Sequence, residues 1–204
     1  MAKKAKISLA KSALIVVDVQ NDFCPGGALA VPRGDEVVVP LNKMIYRWKR
    51  DNRPVFYTRD QHPEKTAHFK KFGGKWSSHC IQGSRGAEYH PDLHVFGDYA
   101  NKIAKGYSDK DNGYSGFEGC NADSENLEML LYQEKIRTLF IGGLATDYCV
   151  KATALDALKL SFKVCLLEDA IRAVNLKPTD GMDAIEEMKK AGVKVITTKE
   201  VLGK

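Results

Sequence analysis

The sequence predicts an α/β fold, a doubly wound, mostly parallel six-stranded sheet with helices on both faces. Three observations carry this expectation. Short apolar, β-branched runs such as Leu14 to Val17 and Thr138 to Ile141 read as strands covered on both faces. Stretches with apolar residues at helical spacing alternate with them. Strands that alternate with helices in this way imply parallel neighbours joined by crossovers.

In chain order, Leu14 to Val17 is the first strand and leads straight into Asp18. Residues 35 to 50 place Val37, Val38, Leu41, Met44, Ile45 and Trp48 on one helical stripe, with Asp35 and Glu36 in the first turn, where acids are favoured. Pro54 to Thr58 is the second strand. The ground from Arg59 to Asp98 is rich in Gly, Pro, His and Ser with no steady period, and connections of that length usually serve function. Lys102 to Ala104 is the third strand, followed by a Gly- and Ser-rich loop through Gly119 and a helix from about Ser124 with Leu127, Leu130 and Leu131 on one face. The fourth strand, Thr138 to Ile141, ends in Gly142 and Gly143. Val150, Ala154, Ala157 and Leu158 then keep helical spacing, Phe162 to Leu167 is a strand, residues 180 to 191 form a helix stopped by Gly192, and Val193 to Thr197 closes the sheet. One domain over residues 1–204 is expected, with residues 1–11, which hold four lysines and no acid, as a basic solvated tail.

Composition narrows the function classes. At 44% hydrophobic and 28% charged residues the chain falls among ordinary folded proteins. No apolar run reaches the length of a membrane span. The net charge of +5 is spread along the chain and no basic run interleaves with aromatics, which argues against nucleic acid as a partner. The five cysteines are scattered without CxxC pairing, so neither a disulfide framework nor a zinc ribbon is indicated, and a reducing cytoplasm fits. Assembly stays open between monomer and homo-oligomer.

In open α/β sheets ligands bind beyond the carboxyl ends of the strands. Those ends carry Asp18, then Asp60 and His62, then Lys105, then Cys149. Cys149 sits about three residues into a helix with Thr146 as its expected N-cap, where free amides and the helix dipole favour a thiolate; the alternative is a buried cysteine packing as a small apolar residue. Asp18 either caps a loop or shuttles the proton that a thiol attacking an amide must lose and the departing nitrogen must gain. Lys105 alone reads as a surface lysine; beside Asp18 it would compensate a buried carboxylate. Asp60, His62, His68 and His79 form a carboxylate and imidazole set that suits zinc, iron or manganese, the alternative being loop histidines satisfied by hydrogen bonds. His90 and His94 have no comparable context.

Together these residues make the chain resemble the nicotinamidase branch of the isochorismatase-like cysteine hydrolases, a Rossmann-like fold, from Ala13 to Thr197. The matching motifs are Val17-Asp18-Val19-Gln20-Asn21-Asp22-Phe23, Arg59-Asp60-Gln61-His62-Pro63, Trp76-Ser77-Ser78-His79-Cys80 with Gln82-Gly83, Lys105-Gly106 with Tyr114-Ser115-Gly116-Phe117, and Gly143 through Val150. The resemblance implies a nicotinamidase or pyrazinamidase activity in NAD salvage. It implies that Cys149 attacks the carboxamide of nicotinamide, Asp18 relays the proton and Lys105 holds the charge pair. A cis peptide at Leu144–Ala145 and an oxyanion hole from the amides of Ala145 and Cys149 are implied with it. Asp60, His62 and His79 are the implied ligands of one divalent metal that positions the pyridine nitrogen, zinc first and iron or manganese as alternatives; a further position is filled in some members by an extra ligand, for which His68 is favoured over Glu64, and in others by water. Phe23, Trp76 and Tyr114 match the aromatic positions that sandwich the ring. Whether the polar loop 108–112 gates the site stays open. Competing readings are another amide or carbamoyl hydrolase, an isochorismatase, or a non-catalytic metal- or small-molecule-binding protein.

Overall fold

Strand β1 (Ser12–Val17) is buried along its whole length. Leu14 and Val16 pack into one core while Ala13, Ile15 and Val17 pack into the other, so its apolar run is continuous because a central strand has no solvent face. The computed structural model describes residues 7–97, 101–109 and 113–203.

β1 is flanked by β2 (Val55–Asp60) and β4 (Thr138–Leu144), with β3 (Lys102–Lys105) outside β2, and β5 (Lys163–Arg172) and β6 (Lys194–Ile196) beyond β4, in the order β3-β2-β1-β4-β5-β6. The sheet is parallel throughout, not merely in most of its ladders. Helix α1 (Val38–Arg50) buries Leu41, Met44, Ile45 and Trp48 on one face of the sheet. Helices α2 (Leu127–Gln133), α3 (Lys151–Lys159) and α4 (Asp180–Ala191) cover the other through Leu127, Leu131, Ala154, Ala157 and Met188. A last helix, α5 (Thr198–Leu202), has a Thr197–Glu200 capping box that the sequence reading passed over.

Several boundaries shift. The first helical stripe begins as a 3-10 turn over Gly34–Val37 before α1 proper. The helix expected from Ser124 starts at Leu127, because Asn126 caps it by accepting from the Met129 amide at 2.8 Å. β5 runs on to Arg172. Its polar end still pairs, with Ile171 and Arg172 in register with Gly143 and Leu144. The solvated tail is also shorter than expected. Leu9 packs in the core, its carbonyl accepts from Ser12 Oγ at 2.7 Å and from Arg53, and the Lys11 carbonyl accepts from Arg137 N at 2.8 Å. Residues 1–6 lie outside the described residues.

The chain leaves β1 toward β2 and β3, then returns past β1 to β4. This topological switch opens a crevice at the carboxyl ends of β1 and β4. Gly142 and Gly143 stand in register with Val16 and Val17. Gly143 has φ +126° and a Cβ there would lie 2.0 Å from the Val17 carbonyl oxygen, so only glycine allows this close approach.

Candidate active site

Asp18 leaves β1 with φ +47° and is fully buried, with Thr58 Oγ1 donating to its Oδ1 at 2.6 Å and Lys105 Nζ 2.7 Å from its Oδ2. Lys105, at the end of β3, is itself buried. Its ammonium also donates to Asp60 and to the Gly113 carbonyl and stands 3.5 Å from Cys149 Sγ. The three residues thus share one address, with the lysine at its centre.

Charge states follow from burial and neighbours. Burial raises the Asp18 carboxyl to about 6, with Asp60 adding and Lys105 opposing. Burial works against the Lys105 charge, but Asp18 and Asp60 outweigh it and keep the ammonium well above its ordinary range. For Cys149, burial pushes the thiol well up and Lys105 pulls it down. Burial thus works against the thiolate that the helix end was expected to favour. The cap also differs: Ala145, not Thr146, is the N-cap, and Thr146–Val150 is a π-type turn ahead of α3, with the Tyr148 and Val150 amides both donating to the Ala145 carbonyl at 3.1 Å. The Leu144–Ala145 peptide is cis.

Asp60 faces two ways. One oxygen takes the Lys105 bond; the other, Oδ2, lies 3.5 Å from His62 Nε2 and 3.8 Å from His79 Nε2. The nitrogens of His62, His68 and His79 lie within 4.8 Å of one another. His62 is wholly buried, and neither of its ring nitrogens makes a hydrogen bond. Donors bound to one ion at 2.0–2.2 Å stand roughly 3–3.5 Å apart, so this orphaned imidazole and its spacing to Asp60 fit a shared cation. His79 Nδ1 contacts the Ser77 carbonyl oxygen at 2.7 Å, a bond that would leave Nε2 as the ligand atom. Burial lowers His79 and pushes His68 down to about 4, which favours the neutral form that a metal ligand needs. Burial opposes the Asp60 charge, but Lys105 and His62 hold its carboxyl below the ordinary range. His68 stacks on His62 at 4.5 Å and joins the set, whereas Glu64 is exposed and outside it. Gly106, with φ +67°, makes room for this: a Cβ would lie 2.5 Å from His62 Cε1.

The crevice opens into a cavity of about 400 Å³, counted out to its mouth, whose walls include Phe23, Trp76, Tyr114, His68, His79 and Cys149. Trp76 Nε1 donates to Tyr114 Oη at 2.9 Å and Phe23 lies 5.4 Å from the His79 ring, so all three expected aromatics meet at one place. Two residues inside the quoted motifs had drawn no role. Gln20 accepts from the Asp60 amide at 2.8 Å and donates to the Asp60 carbonyl at 2.9 Å, locking the end of β2. Tyr148 forms a cavity wall and meets Trp76 edge-on at 4.8 Å. Of loop 108–112, residues 110–112 lie outside the described residues. His90 and His94 stand away from the site.

An isochorismatase domain model matches residues 12–200. The chain is 38% identical to the nicotinamidase of Escherichia coli over 91% of its own length and 94% of that protein. Among solved structures it is similar to the pyrazinamidase of Pyrococcus horikoshii in complex with zinc, at 43% identity and a TM-score of 0.83, covering 92% of this chain and 99% of that one. It is also similar to PnC1 from L. infantum in complex with nicotinate, at 33% identity and a TM-score of 0.81, covering 96% and 97%.

Proposed function

The chain belongs to the isochorismatase family, and from that premise we propose that it is a cysteine amidohydrolase converting nicotinamide to nicotinate and ammonia. The observation that carries the reading is the buried ammonium of Lys105, which touches Asp18, Asp60 and Cys149 where the catalytic and histidine clusters meet the aromatic cavity.

Phe23, Trp76 and Tyr114 clamp the flat ring, leaving its carboxamide over Cys149. Cys149 Sγ passes its proton to the Asp18 carboxylate as it bonds to the amide carbon. Asp18 returns that proton to the nitrogen, and ammonia leaves a thioester. Asp18 then takes a proton from water, whose oxygen attacks the thioester, and returns it to sulfur as nicotinate departs. The amides of Ala145 and Cys149 donate to the developing oxyanion. Lys105 keeps its charge throughout and fixes Asp18 against the sulfur.

Asp60, His62 and His79, with His68 beside them, would hold one divalent cation, and the pyrazinamidase complex with zinc supports zinc over iron or manganese. A cation held there would supply Lewis acidity toward the ring nitrogen beside the aromatic clamp. Nicotinate as the proposed product supports a role in NAD salvage. Five free cysteines support the cytoplasm as its compartment, and no helix among the described residues is long and apolar enough to cross a membrane. One continuous sheet supports a single domain over the chain. Purified protein supplied with zinc should release ammonia from nicotinamide; release no faster than a protein-free blank would overturn the proposal.

A further inference from the structure

Three rings from three separate segments frame the cavity beside Cys149. Trp76 comes from the connection after β2, Tyr114 from the connection after β3, and Tyr148 from the turn after β4 that carries Cys149 itself. Two sides of this frame are closed by the rings. Trp76 Nε1 donates to Tyr114 Oη at 2.9 Å, and Tyr148 stacks on Tyr114 with centroids 6.1 Å apart and planes 27° from parallel. On the third side Trp76 meets Tyr148 edge-on at 4.8 Å.

Lys75 spans that third side. Its ammonium donates to Tyr148 Oη at 3.1 Å and lies 4.8 Å from the centre of the Trp76 ring and 4.9 Å from that of Tyr148, within the distance at which a π face attracts a cation. The backbone delivers it there. Trp76 N donates to the His68 carbonyl at 3.2 Å and Lys70 N to the Trp76 carbonyl at 2.6 Å, which closes residues 68–76 into a loop. At Gly74 a Cβ would lie 2.2 Å from the Ala67 carbonyl oxygen, so only glycine allows the tight approach that leads into Lys75. Lys75 is not one of the cavity walls; it shares a separate surface groove with Tyr148 and Asp180. The bond to the Tyr148 hydroxyl, with Asp180 adding, holds its ammonium above the ordinary lysine range.

We propose that Lys75 is a positioning residue of the hydrolase site, a clip that fastens Trp76 to Tyr148 from outside the cavity and holds the slot at the width of a flat aromatic amide. The proposal rests on the amidohydrolase reading. Trp76 belongs to the segment that carries His68 and His79, and Tyr148 directly precedes Cys149, so one ammonium sets the ring-holding segment against the turn of the nucleophile. The clip acts on the walls and not on the reacting groups, so its loss falls on substrate binding.

Lys75→Met keeps the stem and removes both charge and donor. The KM for nicotinamide should rise about fivefold with kcat changed less than about twofold, and Lys75→Arg, which keeps a cation that stacks on rings, should restore it. Tyr148→Phe removes the acceptor oxygen of the same contact, so Lys75→Met combined with it should raise KM by less than the product of the two single effects. A further measurement needs no substrate. The chain has two tryptophans and Trp48 is wholly buried, so acrylamide quenching of the intrinsic fluorescence reads Trp76; quenching should increase in Lys75→Met and return in Lys75→Arg. Unchanged KM, unchanged quenching, independent effects of the two substitutions, or a defect that Lys75→Arg does not restore would each overturn the clip. An unaltered protein that hydrolyses no nicotinamide would instead overturn the amidohydrolase reading, and quenching would then decide on the clip alone.

Discussion

The Asp18 carboxyl titrates at about 6 although the Lys105 ammonium stands 2.7 Å from it. Desolvation outweighs the ion pair because nothing but protein surrounds the two groups. The base in the proposed reaction must be ionised to accept the Cys149 proton. Activity should therefore be full above this pKa and fall about tenfold per unit below it, as protonated Asp18 loses its acceptor. A kcat/KM profile that stays flat well below about pH 6 would refute this assignment.

Asp18→Asn removes the shuttle and keeps the shape. Since burial keeps the Cys149 sulfur protonated, the variant has no resident thiolate to fall back on, and turnover should drop by about 10²–10⁴. Cys149→Ala should abolish turnover while nicotinamide still binds, read by calorimetry. Measurable steady-state hydrolysis in Cys149→Ala would remove the thiol from the chemistry.

The chemistry was more legible in the sequence than the details of the backbone, for a physical reason. Asp18, Asp60 and Lys105 each stand at the end of a strand, and a parallel sheet brings such ends together. What pattern could not reveal depends on ladder partners and buried polar contacts. The polar residues Glu168 and Asp169 hide the continuation of β5, which pairing with β4 sustains. The π-type turn at Thr146 has ordinary helical spacing in sequence, and only the bond from Val150 to Ala145 betrays it. Gln20 reads as one more loop residue until its amide is seen spanning to Asp60.

Metal retention should rank the histidines. His62 and His79 each face Asp60 Oδ2, so His79→Ala should lose the cation on dialysis against a chelator. His68 is stacked on His62 as an added member, and His68→Ala should keep metal with affinity lowered about 10–100-fold. Elemental analysis of the dialysed proteins decides. Full occupancy in His79→Ala would dissolve the proposed set.

Trp76 offers a test of substrate holding separate from chemistry. It lines the cavity and fixes Tyr114 through its indole hydrogen bond. Stacking of this kind contributes about 0.5–1.5 kcal/mol beyond area burial, so Trp76→Ala should raise KM about tenfold with a smaller effect on kcat. A loss confined to kcat would mean the ring is held elsewhere.

Lys105→Met tests what the central cation does for the fold. The substitution keeps the stem but leaves Asp18 and Asp60 as two buried carboxylates without their shared partner. Breaking a buried ion pair from one side typically costs about 3–5 kcal/mol. The pH dependence has a definite sign. With Lys105 gone both carboxyls titrate higher in the folded state than in the unfolded chain, so their charges destabilise the fold at neutral pH and the penalty shrinks as acid protonates them. Urea unfolding of chelator-treated protein, so that metal occupancy does not enter, should therefore show a stability deficit that is large at neutral pH and smaller in mild acid. A deficit below about 1 kcal/mol, or one that grows with acid, would mean that the ammonium serves catalysis without holding the three strand ends together.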